Sequence, residues 1–284
     1  MTAVEYRPAR EDDLEPGARV FNRAQNDLYR RRGLERGDKP LEVFTVPQGY
    51  ILRTDPGRCF VAEAGREVVG YTSSIVRDGA WYFSALFVEP SFQSQGVGRR
   101  LFELSAAGWP RRRMTIVDAI QPISTGLYTA HGLIPSTPIL AFGGNPEIAA
   151  PEGLKASTPT PSELAEIDLA AYGFDRSLDH SFWATGAEVT AWRRDGRAIA
   201  YSYVSPAGTI GPLAGRTARS AALALRAELA RRRAVDLEVP GSAAVLVETA
   251  FAAGLRFINP PGLLLHSRPA VLPKALVISG YWLM

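Results

Sequence analysis

Two stretches of the chain repeat the same order of predicted elements at nearly the same spacing. Leu86, in a strand-like run, precedes Gly132 by 46 residues, and Ile210 precedes Gly254 by 44 residues. Near-equal spacing of this kind indicates a duplicated architecture. A length of 284 residues also suits two domains of ordinary size, so we predict two units with one fold.

The first unit, residues 1–145, alternates strand-like and helix-like runs. Strand patterns at 59–63 and 68–76 flank a turn, which predicts a hairpin. A more apolar strand follows at 81–88, and a run with apolar residues at helical spacing begins at Val97. We therefore expect an α/β fold of the mixed α+β kind, in which a twisted mixed sheet is flanked by helices.

The second unit, residues 158–284, repeats this order. A linker is predicted at 146–157, because the surrounding stretch concentrates Gly, Pro, Ser and Thr without a clear period. The hairpin strands of the second unit are predicted at 187–193 and 198–204, and the next strand at 209–213. Both units should therefore contain the same kind of sheet, arranged in tandem.

Composition excludes several classes of protein. No run approaches the roughly 20 consecutive apolar residues of a membrane helix, and residues 1–7 alternate like a strand instead of opening a signal peptide. We expect a cytoplasmic protein without a membrane partner. Cys59 is the only cysteine, so neither an internal disulfide nor a thiolate metal cluster can form, and its strand-like surroundings predict a buried apolar role. We expect no metal.

The charge of the chain is mildly basic and is carried mostly by arginine. The formal net charge is +3, and arginine triplets stand at 30–32, 111–113 and 231–233. The last two follow helical patterns, where positive charge at a helix C-terminus is favourable. A nucleic-acid surface should be a broader basic stripe with exposed aromatic residues. We expect no nucleic-acid partner, although the triplet at 30–32 keeps a nucleic-acid-associated role as an alternative.

The stretch most informative about function is 88–100, which reads VEPSFQSQGVGRR. A strand ends there, a short loop follows, and Gly96 and Gly98 flank the start of a helix. Glycines leave the backbone unshielded, so consecutive N–H groups can converge on an anion while the helix dipole adds positive charge. Arg99 and Arg100 can reinforce this effect. The pattern predicts a phosphate site, and a plain glycine turn at a helix start is the structural alternative.

Residues 93–98 (QSQGVG) fit every specified position of the signature Q/R-x-x-G-x-G/A. Here the sequence resembles the GNAT superfamily of acyl-CoA-dependent N-acetyltransferases, and residues 86–90 also look like the strand end of that family. The resemblance covers roughly residues 4–142. It implies a tandem GNAT protein that transfers the acetyl group of acetyl-CoA to an amine by direct attack in a ternary complex.

The resemblance also implies which residues bind acetyl-CoA. Main-chain amides of the glycine loop would cradle the pyrophosphate, and the strand end would pair with the pantetheine amides. The predicted cofactor residues are Phe87, Val88, Gln93, Gln95, Gly96, Val97, Gly98, Arg99 and Arg100.

Two catalytic functions follow from the same resemblance. Tyr128 stands four residues before Gly132, where the family's tyrosine hydroxyl protonates the leaving sulfur of CoA, and the structural alternative is a core aromatic. A base must deprotonate the acceptor ammonium, and Glu89, Asp118 and His131 are the candidates. Glu89, at the strand end, is named with Tyr128 as the predicted catalytic pair.

Acceptor selection in this superfamily usually falls to the region between the first strand and the hairpin, here residues 21–50. The predicted substrate-binding residues are Asp27, Tyr29 and Tyr50. The acceptor is left open between a small metabolite amine, an aminoglycoside-like amine and an amino group of a protein or peptide. A non-catalytic acyl-CoA-binding or sensing protein is the alternative function. The acyl-chain preference and the oligomeric state are also open.

The second unit departs from the family pattern where cofactor binding needs it. Residues 214–219 read AGRTAR instead of a paired-glycine loop, and Ala250 stands where a tyrosine would precede Gly254. We therefore predict a degenerate GNAT-like domain that packs on the first domain and walls the acceptor cleft. Aromatic residues at 172–183 would lie in that wall or in the core of the second unit.

Overall fold

The computed structural model describes residues 3–268 and 272–284. Its strands are β1 (Val4–Pro8), β2 (Cys59–Ala64), β3 (Glu67–Arg77), β4 (Ala80–Val88), β5 (Arg112–Asp118), β6 (Ile134–Gly144), β7 (Lys155–Ser157), β8 (Glu188–Arg194), β9 (Arg197–Val204), β10 (Thr209–Gly215), β11 (Val235–Pro240), β12 (Arg256–Phe257), β13 (Gly262–His266) and β14 (Leu276–Val277). Its helices are α1 (Leu14–Arg31), α2 (Glu42–Thr54), α3 (Val97–Ser105), α4 (Pro122–Ala130), α5 (Pro161–Ala171), α6 (Ser177–Gly186), α7 (Ala218–Ala230) and α8 (Ala244–Ala252). Among the helices of these two ranges, none is both long and apolar enough to cross a bilayer. Met1 and Thr2, the first residues of the strand predicted at 1–7, lie outside the described residues.

The two predicted hairpins form as strands of one mixed sheet. In the first unit β2 and β3 pair antiparallel, and in the second unit β8 and β9 do the same. Their tight turns use positive φ angles, 67° at Gly65 in the first and 51° and 77° at Asp195 and Gly196 in the second. Gly and Asp tolerate this left-handed conformation better than other residues. The predicted fold class, a mixed sheet flanked by helices, is confirmed.

The sheet runs through both units, because each unit completes its sheet with a strand of the other. β13, from the second half of the chain, lies between β5 and β6 and pairs antiparallel with both. The second half of β6 in turn pairs antiparallel with β11. The strand order is β1-β2-β3-β4-β5-β13-β6-β11-β10-β9-β8-β7, with β12 beside β6 and β14 beside β10. The unit boundaries at 1–145 and 158–284 stay a prediction, and the two units are interlocked.

The two faces of the first unit's sheet have different coverings. On one face, Phe83 of β4 packs with Phe102 of α3 and Tyr128 of α4. On the other face, Tyr82 packs with residues of α2 and of the C-terminal segment, residues 275–284. Neighbouring side chains of a strand point to opposite faces of the sheet, so Tyr82 and Phe83 lie on opposite faces. The last residues of the chain therefore return to the first unit.

A buried charge network ties α2 and β3 of the first unit to α6 of the second. Asp179 is fully buried and accepts hydrogen bonds from Arg77 Nε at 2.8 Å and from the Tyr50 hydroxyl at 2.9 Å. Arg77 also pairs with Asp55 at 2.9 Å, and Arg176 Nη2 lies 3.3 Å from Asp179. Buried charges persist only when they are paired. This network therefore fixes how the two units meet.

Candidate active site

β4 and β5 run side by side for a short distance and then part. Their parallel pairing extends from Ala80↔Arg112 to Phe83↔Thr115, where Thr115 Oγ1 donates a hydrogen bond to the main-chain oxygen of Phe83 at 2.8 Å. The register between β3 and β4 shifts at the same place, so that Ser84 forms a bulge. Beyond the bulge, β4 stays on β3 while β5 pairs with β13. An opening therefore lies between the ends of two parallel strands.

The end of β4 presents one main-chain edge to this opening. An extended ligand with alternating amide donors and acceptors can pair with such an edge as an added strand. Phe87 and Val88, which are predicted to pair with the pantetheine arm, lie on this edge. Gln93 Nε2 donates to the main-chain oxygen of Val88 at 3.0 Å. This bond ties the following loop to the strand end.

The loop after β4 turns sharply into α3. Ser94 and Gly96 have φ angles of 62° and 84°, and Gly96 is the N-cap residue of the helix. The N–H groups of a first helical turn have no partner within the helix, and Gly96 has no side chain that could cap them. A Cβ atom added at Gly98 would lie 3.6 Å from Val88 Cγ2, so this helix start adjoins the opening. The unshielded amides and the helix dipole can bind a phosphate group there.

The other predicted cofactor residues have different surroundings. The Val97 side chain is buried, so the main chain is the part of this residue that can reach a ligand. Gln95 Nε2 donates to a loop carbonyl at 2.7 Å and closes the loop. Arg99 and Arg100 are exposed, and Arg100 lies 3.8 Å from Glu103 in a loose ion pair. Both arginines can approach a phosphate, and their binding roles stay predictions.

Tyr128 lies on α4, within the core layer that α3 and α4 form on the sheet. Its ring is 5.4 Å from that of Phe83 and 5.6 Å from that of Phe102, between centroids, and 5% of the residue is exposed. Burial raises the pKa of its hydroxyl above the ordinary value. Tyr128 therefore keeps its proton at neutral pH and has one to donate. Its packing role is evident, and its role as proton donor stays a prediction.

Two predicted acidic residues are engaged by arginines. Glu89 pairs with Arg23 of α1, with 2.6 Å between Oε2 and Nε. Asp27 is buried and pairs with Arg30 and Arg31 at 2.6 and 2.7 Å, in the last turns of α1. Both carboxylates already have cationic partners within the first unit. Their roles as base and as substrate-binding residue stay predictions.

Tyr50 and His131 also have structural partners. The Tyr50 hydroxyl donates to Asp179, and its ring stacks on Phe182 of α6 with centroids 4.6 Å apart. His131 is half-buried at the end of α4, and its Nδ1 lies 2.8 Å from the main-chain oxygen of Leu127. The predicted aromatic wall from residues 172–183 thus contacts the first unit through Phe182.

Asp118, the third candidate base, belongs to a cluster that the sequence did not reveal. It pairs in register with Gly262 of β13, and Gly262 pairs on its other side with Ile139 of β6. Glu238 of β11 lies opposite Ala141, two residues further along β6. Paired residues, and residues two apart, point to the same face of a sheet. The two carboxylates therefore share one face, although they come from different units.

Three tyrosines surround these carboxylates. Tyr281, in the C-terminal segment, covers Gly262 so closely that a Cβ atom there would overlap its hydroxyl. The Tyr82 hydroxyl donates to the main-chain oxygen of Tyr281. Burial, and then the charge of Asp118, raise the pKa of Tyr29. Tyr29 is a predicted substrate residue, and the structure brings it within reach of the Asp118 charge.

The environment raises the pKa of both carboxyl groups. Burial, followed by the charges of Asp236 and Asp118, raises the pKa of Glu238 to about 7. Burial also raises the pKa of Asp118, although a hydrogen bond from Gln25 and the charge of Arg36 oppose the rise. This side of the sheet is therefore acidic and partly shielded from solvent, and Glu238 changes its charge near neutral pH.

Glu238 was not a candidate in the sequence, although a signal for it exists. Residues 235–240 read VDLEVP, in which acidic residues alternate with apolar ones in a predicted strand. This strand has the same place in its unit as the strand that ends at Asp118. A half-buried carboxylate in a central strand is uncommon, so Glu238 is a candidate functional residue.

In the second unit, the corresponding opening between β10 and β11 is filled. These strands pair in parallel over two residues and then part, as β4 and β5 do. β14 of the C-terminal segment pairs antiparallel with β10, and Ile278 N donates to the main-chain oxygen of Glu238 at 3.0 Å. Thr217 and Ser220 form a capping box at the start of α7, so helix amides there have partners. The protein's own chain occupies the position where a cofactor would bind.

Residues 55–132 match the family described as Acetyltransferase (GNAT) domain. The first unit carries a GNAT domain. The match spans the hairpin, the opening beside β4, the glycine loop and α4, so it includes Tyr128. No curated protein matches the sequence significantly.

Solved structures of GNAT proteins have the same fold over the whole chain. An acetyltransferase candidate from Pyrococcus horikoshii is 19% identical, with a TM-score of 0.79 and coverage of 100% of this chain and 97% of that one. A GCN5-related N-acetyltransferase from Sphaerobacter thermophilus is 18% identical, with a TM-score of 0.62 and coverage of 95% and 98%. A tandem GNAT protein from the clavulanic acid biosynthesis pathway is 18% identical, with a TM-score of 0.57 and coverage of 95% and 100%. The predicted tandem GNAT fold is confirmed, and the family match of residues 55–132 supports acyl transfer in general.

Proposed function

We propose that this tandem GNAT protein transfers the acetyl group of acetyl-CoA to an amine by direct attack in a ternary complex. The observation that carries the proposal is the opening between β4 and β5, which adjoins the uncapped start of α3. An extended arm with amide groups fits a free strand edge, and a pyrophosphate fits a helix N-terminus. Acetyl-CoA carries both groups in one molecule, so one continuous site can bind it.

The main chain of the first unit would contribute most of the rate enhancement. Amides from Gln95 to Arg99 would hold the pyrophosphate, and the β4 edge at Phe87 and Val88 would align the arm. Holding an amine and a thioester in line can lower the barrier by about 7–11 kcal/mol in favourable cases. Donation from a main-chain N–H to the developing oxyanion would add to this. Covalent attachment of the acetyl group to the protein is not needed.

Tyr128 would then protonate the departing sulfur. A free thiol has a pKa of about 8.5, so a thiolate is a moderately poor leaving group and proton donation should help only modestly. We expect Tyr128→Phe to lower kcat roughly 10- to 100-fold while leaving the Kd for acetyl-CoA unchanged. Thiol release and calorimetry measure the two quantities. Tyr203→Phe, which removes a buried hydroxyl of the second unit, is the matched control and should keep the wild-type kcat. An unchanged kcat in Tyr128→Phe would leave that residue with its packing role alone.

The experiment that tests the proposed function is a thiol-release screen of amines with acetyl-CoA. Release of CoA thiol that depends on an added amine supports acetyl transfer. Tight binding of acetyl-CoA without thiol release from any amine would instead favour a non-catalytic acyl-CoA-binding or sensing protein. Replacing acetyl-CoA by longer acyl-CoA thioesters in the same assay measures the acyl-chain preference.

The proposed partner is an amine acceptor, without a membrane or a nucleic acid. The arginines at 30 and 31 support this, because both pair with Asp27 instead of standing free. A chain with a single cysteine also fits a reducing compartment, so we propose the cytoplasm as its location. Salt-sensitive RNA binding would contradict the proposed exclusion of nucleic acid.

A further inference from the structure

Glu238 belongs to the second unit but faces the site of the first. Strand register across β13 and β6 puts it on the same face of the sheet as Asp118. Burial, and then the charge of Glu238, raise the pKa of Tyr82 on β4 and of Tyr281 in the C-terminal segment. β4 also borders the opening that we propose for acetyl-CoA. Glu238 and the proposed acyl group therefore belong to one region of the protein.

The Glu238 carboxylate lacks a compensating partner. Glu238 is half-buried, and within residues 3–268 and 272–284 its carboxylate has neither a hydrogen-bond donor nor a cationic partner, while its charged neighbours Asp236 and Asp118 are acidic. Asp118 differs, because Gln25 donates a hydrogen bond to it and Arg36 lies close. A partly desolvated carboxylate without a donor is less stable in its charged form than one in water. A ligand ammonium would supply both the positive charge and the donors that Glu238 lacks.

The C-terminal segment closes the space beside this region. The Trp282 ring packs against Phe21 of α1, Phe44 of α2 and Phe87 of β4, with centroid separations of 5.5, 5.7 and 6.1 Å. Arg176 Nη1 anchors this segment by donating to the main-chain oxygen of Met284 at 2.6 Å. A polypeptide acceptor lying between these helices and the end of β4 would have to displace Trp282. A small amine needs less space than a polypeptide, so this arrangement favours a small-molecule acceptor.

We propose that Glu238 is the base that takes a proton from the ammonium group of a small-molecule acceptor, so that the second unit completes the active site of the first. The inference rests on the proposed acetyl transfer. One N–H proton of the ammonium moves to a carboxylate oxygen of Glu238, and the freed lone pair forms the N–C bond to the thioester carbon. The C–S bond breaks, the nitrogen loses a second proton, and the thiolate takes up one. The products are the amide, the CoA thiol and one proton that Glu238 returns to solvent.

The pH dependence of the reaction follows from the groups that face Glu238. They are Asp236 on its own strand, Asp118 on β5, Tyr82 on β4 and Tyr281 in the C-terminal segment. Burial and the two acidic charges raise its pKa to about 7. Below that pH Glu238 is protonated and cannot act as a base, and above it the carboxylate is available. kcat/KM should therefore rise with pH through about 7.

The test compares Glu238→Gln with Glu248→Gln, which alters an exposed glutamate on α8. Acetyl-CoA is the donor and 1,4-diaminobutane is the acceptor probe. At about pH 7.5, kcat/KM of Glu238→Gln should fall at least about 100-fold while the Kd for acetyl-CoA stays unchanged. The rise of kcat/KM near neutral pH should vanish in Glu238→Gln. Its deficit relative to the wild type should shrink toward about pH 10, where an appreciable fraction of the amine is already deprotonated in solution. Glu248→Gln should match the wild type throughout.

Two further measurements, ligand binding and thermal melting, do not depend on catalysis and accompany the kinetics. Calorimetric binding of 1,4-diaminobutane should be at least about 10-fold weaker in Glu238→Gln, because a charge-assisted hydrogen bond is lost. Thermal melting checks the fold. Because the pKa of folded Glu238 is raised, its ionisation destabilises the native state as pH rises through about 7. Glu238→Gln should therefore melt at or above the wild-type temperature at about pH 8.

Each outcome decides one claim. Equal kcat/KM in the two variants, or an unchanged pH profile in Glu238→Gln, overturns the assignment of the base. Diamine affinity that does not depend on Glu238, or no diamine binding by the wild type, overturns the ammonium site. Faster thiol release with a free peptide N-terminus than with the diamine overturns the small-molecule acceptor. Diamine bound through Glu238, without thiol release from the diamine or from any other amine of the screen, would refute the proposed acetyl transfer and leave the ammonium site standing.

Discussion

Gly98→Asp is expected to weaken acetyl-CoA binding about 100-fold without unfolding the protein. A carboxylate at this position would lie where the pyrophosphate is proposed to bind, and like charges in contact cost several kcal/mol. The free protein should tolerate the change, because an added Cβ atom would meet Val88 Cγ2 and Leu86 Cδ2 at 3.6 and 3.9 Å, ordinary contact distances. A carboxylate in the first turn of a helix is also favourable. Calorimetry with acetyl-CoA and thermal melting measure the two effects.

Gly98→Asn is the matched control for the charge. It adds nearly the same volume without the negative charge, so its affinity should lie between those of the wild type and Gly98→Asp. Wild-type affinity in both variants would mean that the loop does not bind the pyrophosphate. A large fall in melting temperature in Gly98→Asp would mean that the glycine serves the fold instead.

The second large effect is expected for the buried charge network. Asp179→Ala should lower the free energy of unfolding by about 3–5 kcal/mol, because it leaves Arg77 and Arg176 without this partner in the interior. The Tyr50 hydroxyl would lose its acceptor as well. For a chain of this size the melting temperature should fall by roughly 10 °C. Differential scanning calorimetry measures the change.

Asp12→Ala is the control for Asp179→Ala, since it removes an exposed aspartate of the first unit. It should leave the melting temperature within about 2 °C of the wild type. The account of the interface would be contradicted if Asp179→Ala melted as Asp12→Ala does. Separate melting of the two halves in Asp179→Ala would show that the interlocked strands alone do not couple the units.

The local elements were predictable because their patterns are local. Alternation at 59–63 and 68–76 gave the first hairpin, which the structure extends by only one residue at the end of β2 and one at each end of β3. The pair Gly96 and Gly98 predicted the loop at the start of α3, where the left-handed conformation of Gly96 favours glycine. Such features depend on neighbours within a few residues, so one sequence contains them.

The pairings between distant segments were not predictable. β13 lies between β5 and β6, which precede it by more than a hundred residues, and no local period indicates this partner. The same pairings bring Glu238 to the face that carries Asp118. Tyr50 was predicted to bind substrate, yet its hydroxyl bonds to Asp179, 129 residues away. Site residues that are brought together by strand pairing between the two units could therefore not be predicted from residue spacing along the sequence.

The interlocked fold is also consistent with the function that we propose for the second unit. Its cofactor position is filled by β14, and the chain that leaves β14 carries Tyr281 and Trp282 to the first unit. A duplicated unit that has lost its own cofactor site can still wall the acceptor region of its neighbour. The degenerate glycine loop at 214–219 and the filled opening both fit this division of functions.

The central claim is that one of the two related openings binds acetyl-CoA and the other is filled by the protein itself. Calorimetric titration of the full chain with acetyl-CoA tests this claim most directly. We predict a stoichiometry of one acetyl-CoA per chain, with binding strongly weakened by Gly98→Asp. Two equivalents per chain, no binding, or one equivalent that Gly98→Asp leaves unaffected would contradict the account.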